Sequence, residues 1–223
     1  MQNNRRWKMS PDIYKIFLQG LKLLSIKLGN HQIEQFSVYL DELKKWNERF
    51  NLIGPATDGE IIEKHFLDSL SIVSLLPTLY SLLPASILDV GTGAGLPGVP
   101  IKIAQPEISL TLLDSSKKKT EFLRHLCKKL DIKVEIICDR AENTSKISTY
   151  KNKYDFVVAR AVAKISTSEK LCLPFLKNCG TLILQIGNKL DAELKQGMII
   201  EKIAPLKEIL PGRAILLIKP LEK

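Results

Sequence analysis

The stretch Ile87-Leu88-Asp89-Val90-Gly91-Thr92-Gly93-Ala94-Gly95-Leu96-Pro97-Gly98 decides the architecture. A short run of strand character passes directly into a turn whose first three glycines fall at every second position. Glycine there lets the backbone visit positive φ and lets a ligand approach the main chain closely. Downstream, Leu110-Thr111-Leu112-Leu113 has the same strand character and ends on Asp114, 19 residues after Gly95. A second parallel strand delivers a carboxylate to a ribose diol at about that spacing. The two features together point to an adenosine-containing cofactor at the ends of two neighbouring strands.

Outward from this centre, β-rich runs alternate with helical stretches, which predicts a βαβ array and an α/β protein with a mostly parallel sheet. The further runs are Val134 to Cys138, Phe156 to Ala159, Thr181 to Ile186, Met198 to Ala204 and Ala214 to Ile218. The loop from Pro205 to Pro211-Gly212 is too short for a crossover helix, so the last two strands are expected to be antiparallel. Towards the N-terminus the apolar residues recur at three and four: Ile13, Ile16, Phe17, Leu21, Leu24 and Leu28, then Ile33, Phe36, Leu40, Leu43 and Trp46. Gly29-Asn30 divides the first helix from the second, Gly54-Pro55 ends the second, and Thr57 or Asp58 caps a third running to about Leu76. This predicts a helical cap over residues 1–79 and a cofactor domain over 80–223.

The 223 residues are 45% hydrophobic and 26% charged, a globular balance that excludes disordered and collagen-like chains. The net charge of +9 is uneven: residues 1–80 carry +1 and the remainder +8, which favours a polyanionic partner for the C-terminal two thirds. No apolar run is long enough to span a membrane, and Asp12, Lys15 and Lys22 interrupt any signal-like stretch, so a cytoplasmic protein is expected. Cys127, Cys138, Cys172 and Cys179 lack CxxC spacing and clustered His, so neither a metal site nor a redox motif is read, and buried free thiols are expected.

Gly93-x-Gly95-x-x-Gly98 also satisfies the dinucleotide pattern, which keeps a nicotinamide enzyme as a rival. Two details weigh against it. Asp89 stands where it can hold a cationic amino group or brace the loop, and Pro97 and Pro100 sit where a helix should offer free amides to a pyrophosphate. The acid-x-Gly-x-Gly-x-Gly turn resembles the first motif of S-adenosylmethionine (SAM) methyltransferases, whose cofactor has no phosphate.

The fourth strand leads into Arg160-Ala161-Val162-Ala163, without the Asn/Asp-Pro-Pro-aromatic turn of amino-group methyltransferases. No cysteine has the Pro-Cys or Thr-Cys setting that methylation of pyrimidine carbon requires. A ring nitrogen needs neither device, because its lone pair requires alignment and not proton removal. Arg160 is either a support for such a ring or an ordinary strand-end Arg paired with a carboxylate. Lys117, Lys118, Lys119, Arg124, Lys128, Lys129 and Lys133, against Glu121 and Asp131, form a basic helix next to Asp114, a candidate phosphate-binding face led by Lys117, Lys118 and Lys119. Arg5-Arg6-Trp7-Lys8 is a candidate basic arm.

These residues, with Trp46-Asn47-x-x-x-Asn51-Leu52, His65-x-x-Asp68-Ser69-Leu70, Asp89 through Pro100, Leu113-Asp114-Ser115, Phe122-Leu123, Arg140-Ala141-Glu142, Arg160-Ala161 and Arg213-x-x-x-x-x-Lys219, resemble the RsmG (glucose-inhibited division protein B) family. The resemblance covers roughly Lys45 to Lys219. It implies a Rossmann-like SAM-dependent methyltransferase fold of seven strands with an N-terminal helical cap. It also implies methylation of N7 of a guanine (guanine 527) in 16S rRNA of the small ribosomal subunit. Separately from the resemblance, no membrane and no metal are expected from the sequence, and a monomer is the expected form. The family's cofactor contacts fall on Gly91, Leu96, Ala141, Glu142 and Arg160, with Asp114 in the ribose position. His65 and Asp68, with Trp46 and Asn51, read as a seam joining cap to sheet. The chain departs from the family in having Lys118-Lys119 for Lys-Arg and Ile186-Gly187 for Lys-Gly, so the role of that lysine is kept only if Lys189 substitutes for it. A non-catalytic ribosome-assembly factor keeping the fold and RNA surface is the remaining rival.

Overall fold

Ser10 opens α1 (Pro11–Leu23): its hydroxyl accepts from the Ile13 amide at 3.4 Å, and Pro11 sits in the first turn, where a missing donor costs nothing. α2 (Asn30–Phe50) is entered through Gln32, whose Oε1 accepts from the Gly29 amide at 2.7 Å, and ends at Asn51 in the left-handed region. A reciprocal Thr57–Glu60 capping box starts α3 (Asp58–Ile61), which continues through a π-helical stretch, Ile62–Leu67, into α4 (Asp68–Leu70). The expected run to Leu76 is not made. Ser71 and Ser74 turn their hydroxyls onto the carbonyls of Asp68 and Ser71, and the backbone tightens into a 3₁₀ turn at Val73–Leu75.

The computed structural model describes residues 9–75, 84–160, 165–187, 198–203 and 206–220. The cap boundary at 79/80, the arm Arg5 to Lys8 and Lys189 lie outside them. The sheet contains β1 (Ser86–Val90), β2 (Ser109–Leu113), β3 (Glu135–Ile137), β4 (Tyr154–Arg160), β5 (Leu176–Ile186), β6 (Met198–Ile203) and β7 (Ala214–Pro220). Its seven strands run in the order β3-β2-β1-β4-β5-β7-β6. β1 to β5 pair in parallel, and β7 runs antiparallel to both β5 and β6, as the short preceding loop requires. β5 begins at Leu176, ahead of the expected Thr181, because Leu176 already pairs with Tyr154. The order in which strands are added reverses between β1 and β4, so the carboxyl ends of these parallel strands form the crevice where α/β sheets bind ligands.

α5 (Gly98–Ala104) and α6 (Lys117–Leu130) cover one sheet face, and α2 lies across both. Polar ties fix that crossing: Gln32 Nε2 donates to Ile103 O at 2.8 Å, Gln35 Nε2 to Leu130 O at 2.7 Å, and Glu42 meets His125 at 2.7 Å. The rings of Phe17, Phe36 and Phe66 stack in sequence at 5.0 and 5.3 Å. They belong to one apolar cluster that continues through Val99 and Phe122 to Phe156 and Ile183 of the sheet. α7 (Ala141–Thr144) follows β3. The opposite sheet face, Leu88, Val90, Val157 and Ala159, packs on α8 (Ile165–Cys172) and Phe175. The expectation of buried thiols is corrected in part: Cys127 and Cys172 are buried, whereas Cys138 is half-buried and Cys179, near the start of β5, is exposed.

Candidate active site

β1 alternates faces, so Ile87 points to the cap side, Leu88 and Val90 to the other, and Asp89 falls on the cap side beneath the glycine turn. Its carboxylate is fully buried. Oδ2 accepts from Thr92 Oγ1 at 2.7 Å and from the Gly98 amide at 2.8 Å, clamping the turn at both ends. Among the described residues Oδ1 has no partner, and burial pushes the carboxyl up to about 7, against the pull of those two hydrogen bonds. Of the two roles expected for Asp89, the bracing one is made.

The glycines serve different ends. Gly91, Gly93 and Gly95 all have positive φ (70°, 60° and 92°). A Cβ on Gly95 would lie 2.7 Å from Val99 Cγ2 and 3.0 Å from Leu123 Cδ2 and Tyr39 Oη, so packing alone demands glycine there. The same atom on Gly93 would meet nothing nearer than Gly91 O at 3.9 Å, which leaves the space above that backbone open. Leu96 buries its side chain in the core and donates its amide to Thr92 O at 2.9 Å.

Asp114 ends β2 beside this turn. Oδ2 accepts from the Gly93 amide at 2.9 Å and Oδ1 from the Ser116 amide at 2.8 Å. The helix cap itself is Ser116, so Asp114 ties the glycine turn to the next element. Ala141 and Glu142 lie one strand further out, at the start of α7. Lys119 Nζ stands 3.8 Å from Asp114, whereas Lys117 and Lys118 are exposed.

Across the switch point, Arg160 ends β4. It donates to Lys64 O at 3.3 Å and to His65 Nδ1, and lies 3.6 Å from Asp68 Oδ2. A guanidinium only donates, so His65 Nδ1 is the acceptor and the imidazole is neutral. Burial, reinforced by Arg160 and Arg213, holds it down at about 4. Arg213 Nε approaches the same Asp68 Oδ2 to 4.0 Å, while burial outweighs both guanidiniums and raises the Asp68 carboxyl. Among the described residues Asp68 Oδ2 and Gln185 Oε1 are buried without a hydrogen bond, although Gln185 Nε2 donates to Asp68 O.

The seam read from His65, Asp68, Trp46 and Asn51 therefore divides in two. His65 and Asp68 join the cap to Arg160. Trp46 instead packs on Phe122 and His125 of α6, and Asn51 is the left-handed cap of α2. Two contributors carry no sequence signal. Tyr39 donates its hydroxyl to Ala94 O inside the glycine turn, yet its spacing is that of a core residue. Gln185 is adjacent to Arg160 only through strand register. Among the described residues no His/Cys/Asp/Glu group has the form of a metal site, and no helix is long and apolar enough to cross a membrane.

A model of the rRNA small subunit methyltransferase G family matches residues 32–207. The Ribosomal RNA small subunit methyltransferase G of Lachnoclostridium phytofermentans is 40% identical over 182 residues, covering 81% of this chain and 74% of that protein. Its namesake from Acetivibrio thermocellus is 38% identical over 200 residues, covering 89% and 78%. Among solved structures, a methyltransferase from Geobacter sulfurreducens aligns with a TM-score of 0.57 at 14% identity, over 96% of this chain and 98% of that one. A SAM dependent methyltransferase from Aquifex aeolicus gives 0.53 at 14% identity, over 80% and 97%. The architecture is thus the α/β methyltransferase fold, and the chain belongs to the rRNA small subunit methyltransferase G family.

Proposed function

We propose that this protein transfers a methyl group from SAM to N7 of a guanine, guanine 527 by family resemblance, in 16S rRNA of the small ribosomal subunit. The donor set suits that cofactor. The open space above Gly93, the Asp114 carboxylate at its edge and the unpartnered Oδ1 of Asp89 together favour a ligand with a ribose diol and a cationic end. Gly91, Gly93, Asp114, Ala141 and Glu142 would line it, with Gly95 and Leu96 shaping the turn from behind. When bound, SAM supplies an electrophilic methyl group on a sulfonium.

One observation carries the choice of acceptor atom. The imidazole beside Arg160 spends its basic nitrogen on the guanidinium and is held down at about 4, so the nearest candidate base is already engaged. Of the carboxylates, Asp68 faces two guanidiniums, Asp114 accepts from two amides, and Asp89, braced through Oδ2, is fully buried beneath the turn. Such a site suits an acceptor with a free lone pair at neutral pH. Guanine N7 has one, and an exocyclic amine does not. Arg160 would orient the ring by donating to O6, leaving N7 free for in-line attack. The protein acts in this reading as a cytoplasmic monomer on RNA.

The test is chemical. Labelled methyl from SAM should enter small-subunit RNA lacking the modification. The product, a cationic N7-methylguanosine, should then cleave at one site after borohydride reduction and aniline. A methyl group that maps to an exocyclic amine or a ribose oxygen sinks the assignment.

A further inference from the structure

Phe50 is an apolar ring left 39% exposed at the end of α2, and it is not loose. Trp46, one helical turn earlier, lies 5.3 Å from it, and Trp46 in turn rests 5.5 Å from Phe122, which is fully buried. His125 packs on Trp46 from the other side at 5.4 Å. The three rings form a ladder from core to solvent, so the outermost ring is presented in a fixed attitude at little entropic cost. One cation faces it, and two more stand beside the pair in sequence. Lys118 Nζ lies 5.8 Å from the Phe50 centroid, and the exposed side chains of Arg49 and Lys117 make no ion pair among the described residues. Lys119, next in α6, reaches the Asp114 that borders the glycine turn.

From this juxtaposition we infer that Phe50 is a stacking platform for an unpaired base of the substrate RNA, flanking the target guanine, with Lys117, Lys118 and Arg49 taking the adjoining phosphates. The inference rests on the reading of rRNA as substrate and extends the RNA surface from α6 onto the helical cap. Charge decides the occupant. An apolar protein partner gains nothing from an ammonium at the ring edge and a basic helix leading away from it, whereas a single-stranded nucleic acid offers a π-face and a phosphate at each step. At 5.8 Å the Lys118 ammonium is at the outer limit of a cation–π contact, so it can follow a phosphate while a base takes the ring face.

The experiment compares wild-type protein with Phe50→Ala, Phe50→Leu and Phe50→Trp. It measures binding to unmodified small-subunit RNA transcribed in vitro, SAM affinity, melting temperature and methyl transfer. Phe50→Ala and Phe50→Leu should each weaken RNA binding by about tenfold, with a matching rise in KM for RNA and an unchanged kcat. Phe50→Trp should restore both. SAM affinity should be unaltered in all three. Full RNA binding by Phe50→Leu means that apolar bulk suffices, and it overturns the platform, as does wild-type affinity in Phe50→Ala. A wild-type protein that binds this RNA in a Phe50-dependent way but transfers no methyl keeps the platform and removes the enzymatic reading. Methyl transfer that ignores Phe50 does the reverse.

Discussion

The two halves of the cleft are built on different principles. On the β1/β2 side, main-chain amides and two carboxylates answer one another: Asp89 holds Thr92 and Gly98, and Asp114 holds Gly93 and Ser116. On the β4 side, charged side chains face each other without closing. Asp68 Oδ2 lies 3.6 Å from Arg160 and 4.0 Å from Arg213, and neither it nor Gln185 Oε1 receives a hydrogen bond. The first half is a rigid seat whose shape is fixed before a ligand arrives. The second holds two buried polar atoms that receive no hydrogen bond from the described residues, so its charges are balanced only at a distance.

The largest expected effect probes the rigid half. A Cβ at Gly98 would sit 2.7 Å from Leu112 Cδ2 and 2.8 Å from Asp89 Oδ2, both on fully buried residues. Gly98→Ala should cost roughly 3 kcal/mol, read as a lower urea midpoint. Gly93→Ala meets nothing within 3.9 Å and carries only the φ penalty, about 1–2 kcal/mol. It should fold and yet lose SAM affinity by more than about tenfold, because the methyl occupies ligand space. Equal destabilisation by the two substitutions would erase the distinction between a packing glycine and a ligand-facing one.

Next comes the charged half. Arg160→Ala strips Asp68 of its nearer guanidinium and leaves a buried carboxylate with Arg213 alone, at 4.0 Å. Stability should fall by roughly 2–4 kcal/mol, and activity should be almost abolished. Adding Asp68→Asn removes the stranded charge, so the double variant should regain part of the stability and none of the activity. If it is less stable than Arg160→Ala alone, Asp68 is held by something other than the two arginines.

The same division governs what can be read from sequence. The rigid half lies within Asp89 to Ser116, where strand, turn, cap and acid are neighbours along the chain and each leaves a local pattern. All five parallel strands and the antiparallel return are legible for that reason. The charged half gathers residues 64–68, 160, 185 and 213, whose proximity depends on strand order and on where the cap docks. His65 and Asp68 look like a helix face in isolation, and Gln185 like any strand residue. Tyr39 is hidden by its own regularity, since a core tyrosine and one that clamps a loop carbonyl have the same helical spacing. Trp46 packs in a different seam from the one expected of it, because its position in α2 names no partner.

pH separates the halves with opposite signs. In the unfolded chain His65 has an ordinary value of 6.5, and folding lowers it to about 4. Between those values the unfolded chain holds the extra proton, so stability rises with pH at up to about 1.4 kcal/mol per unit. Asp89 moves the other way, from 3.8 to about 7, so the folded state holds the extra proton and stability falls as pH rises through that window. From pH 4.5 to 6.5 the two contributions oppose one another. Relative to wild type, Asp89→Asn should therefore steepen the gain in stability with rising pH, and His65→Gln should turn it towards a loss. Urea midpoints at pH 4.5, 5.5 and 6.5 decide the matter. Parallel profiles for the three proteins would mean that neither group is shifted by its burial.

The smallest effect on stability belongs to the surface that leads away from both halves. Lys117 and Lys118 are exposed, and Lys119 makes only a partly exposed contact with Asp114 at 3.8 Å. Changing all three to Gln should alter stability by less than about 0.5 kcal/mol per site, because exposed charges contribute little to folding. RNA binding should respond far more. Every phosphate that no longer meets a lysine lowers the log–log slope of affinity against salt by about 0.7 to 0.9, so the triple variant should show a visibly flatter dependence between about 50 and 200 mM salt. SAM affinity should stay within about twofold, since Asp114 keeps its bonds to Gly93 and Ser116. An unchanged slope with full activity would identify the lysine run as a solvated helix face. The RNA path would then have to be carried by the Phe50 ring with Arg49, or leave the cleft on the β4 side past Arg160 and Arg213, and the Phe50 variants would decide between these two surfaces.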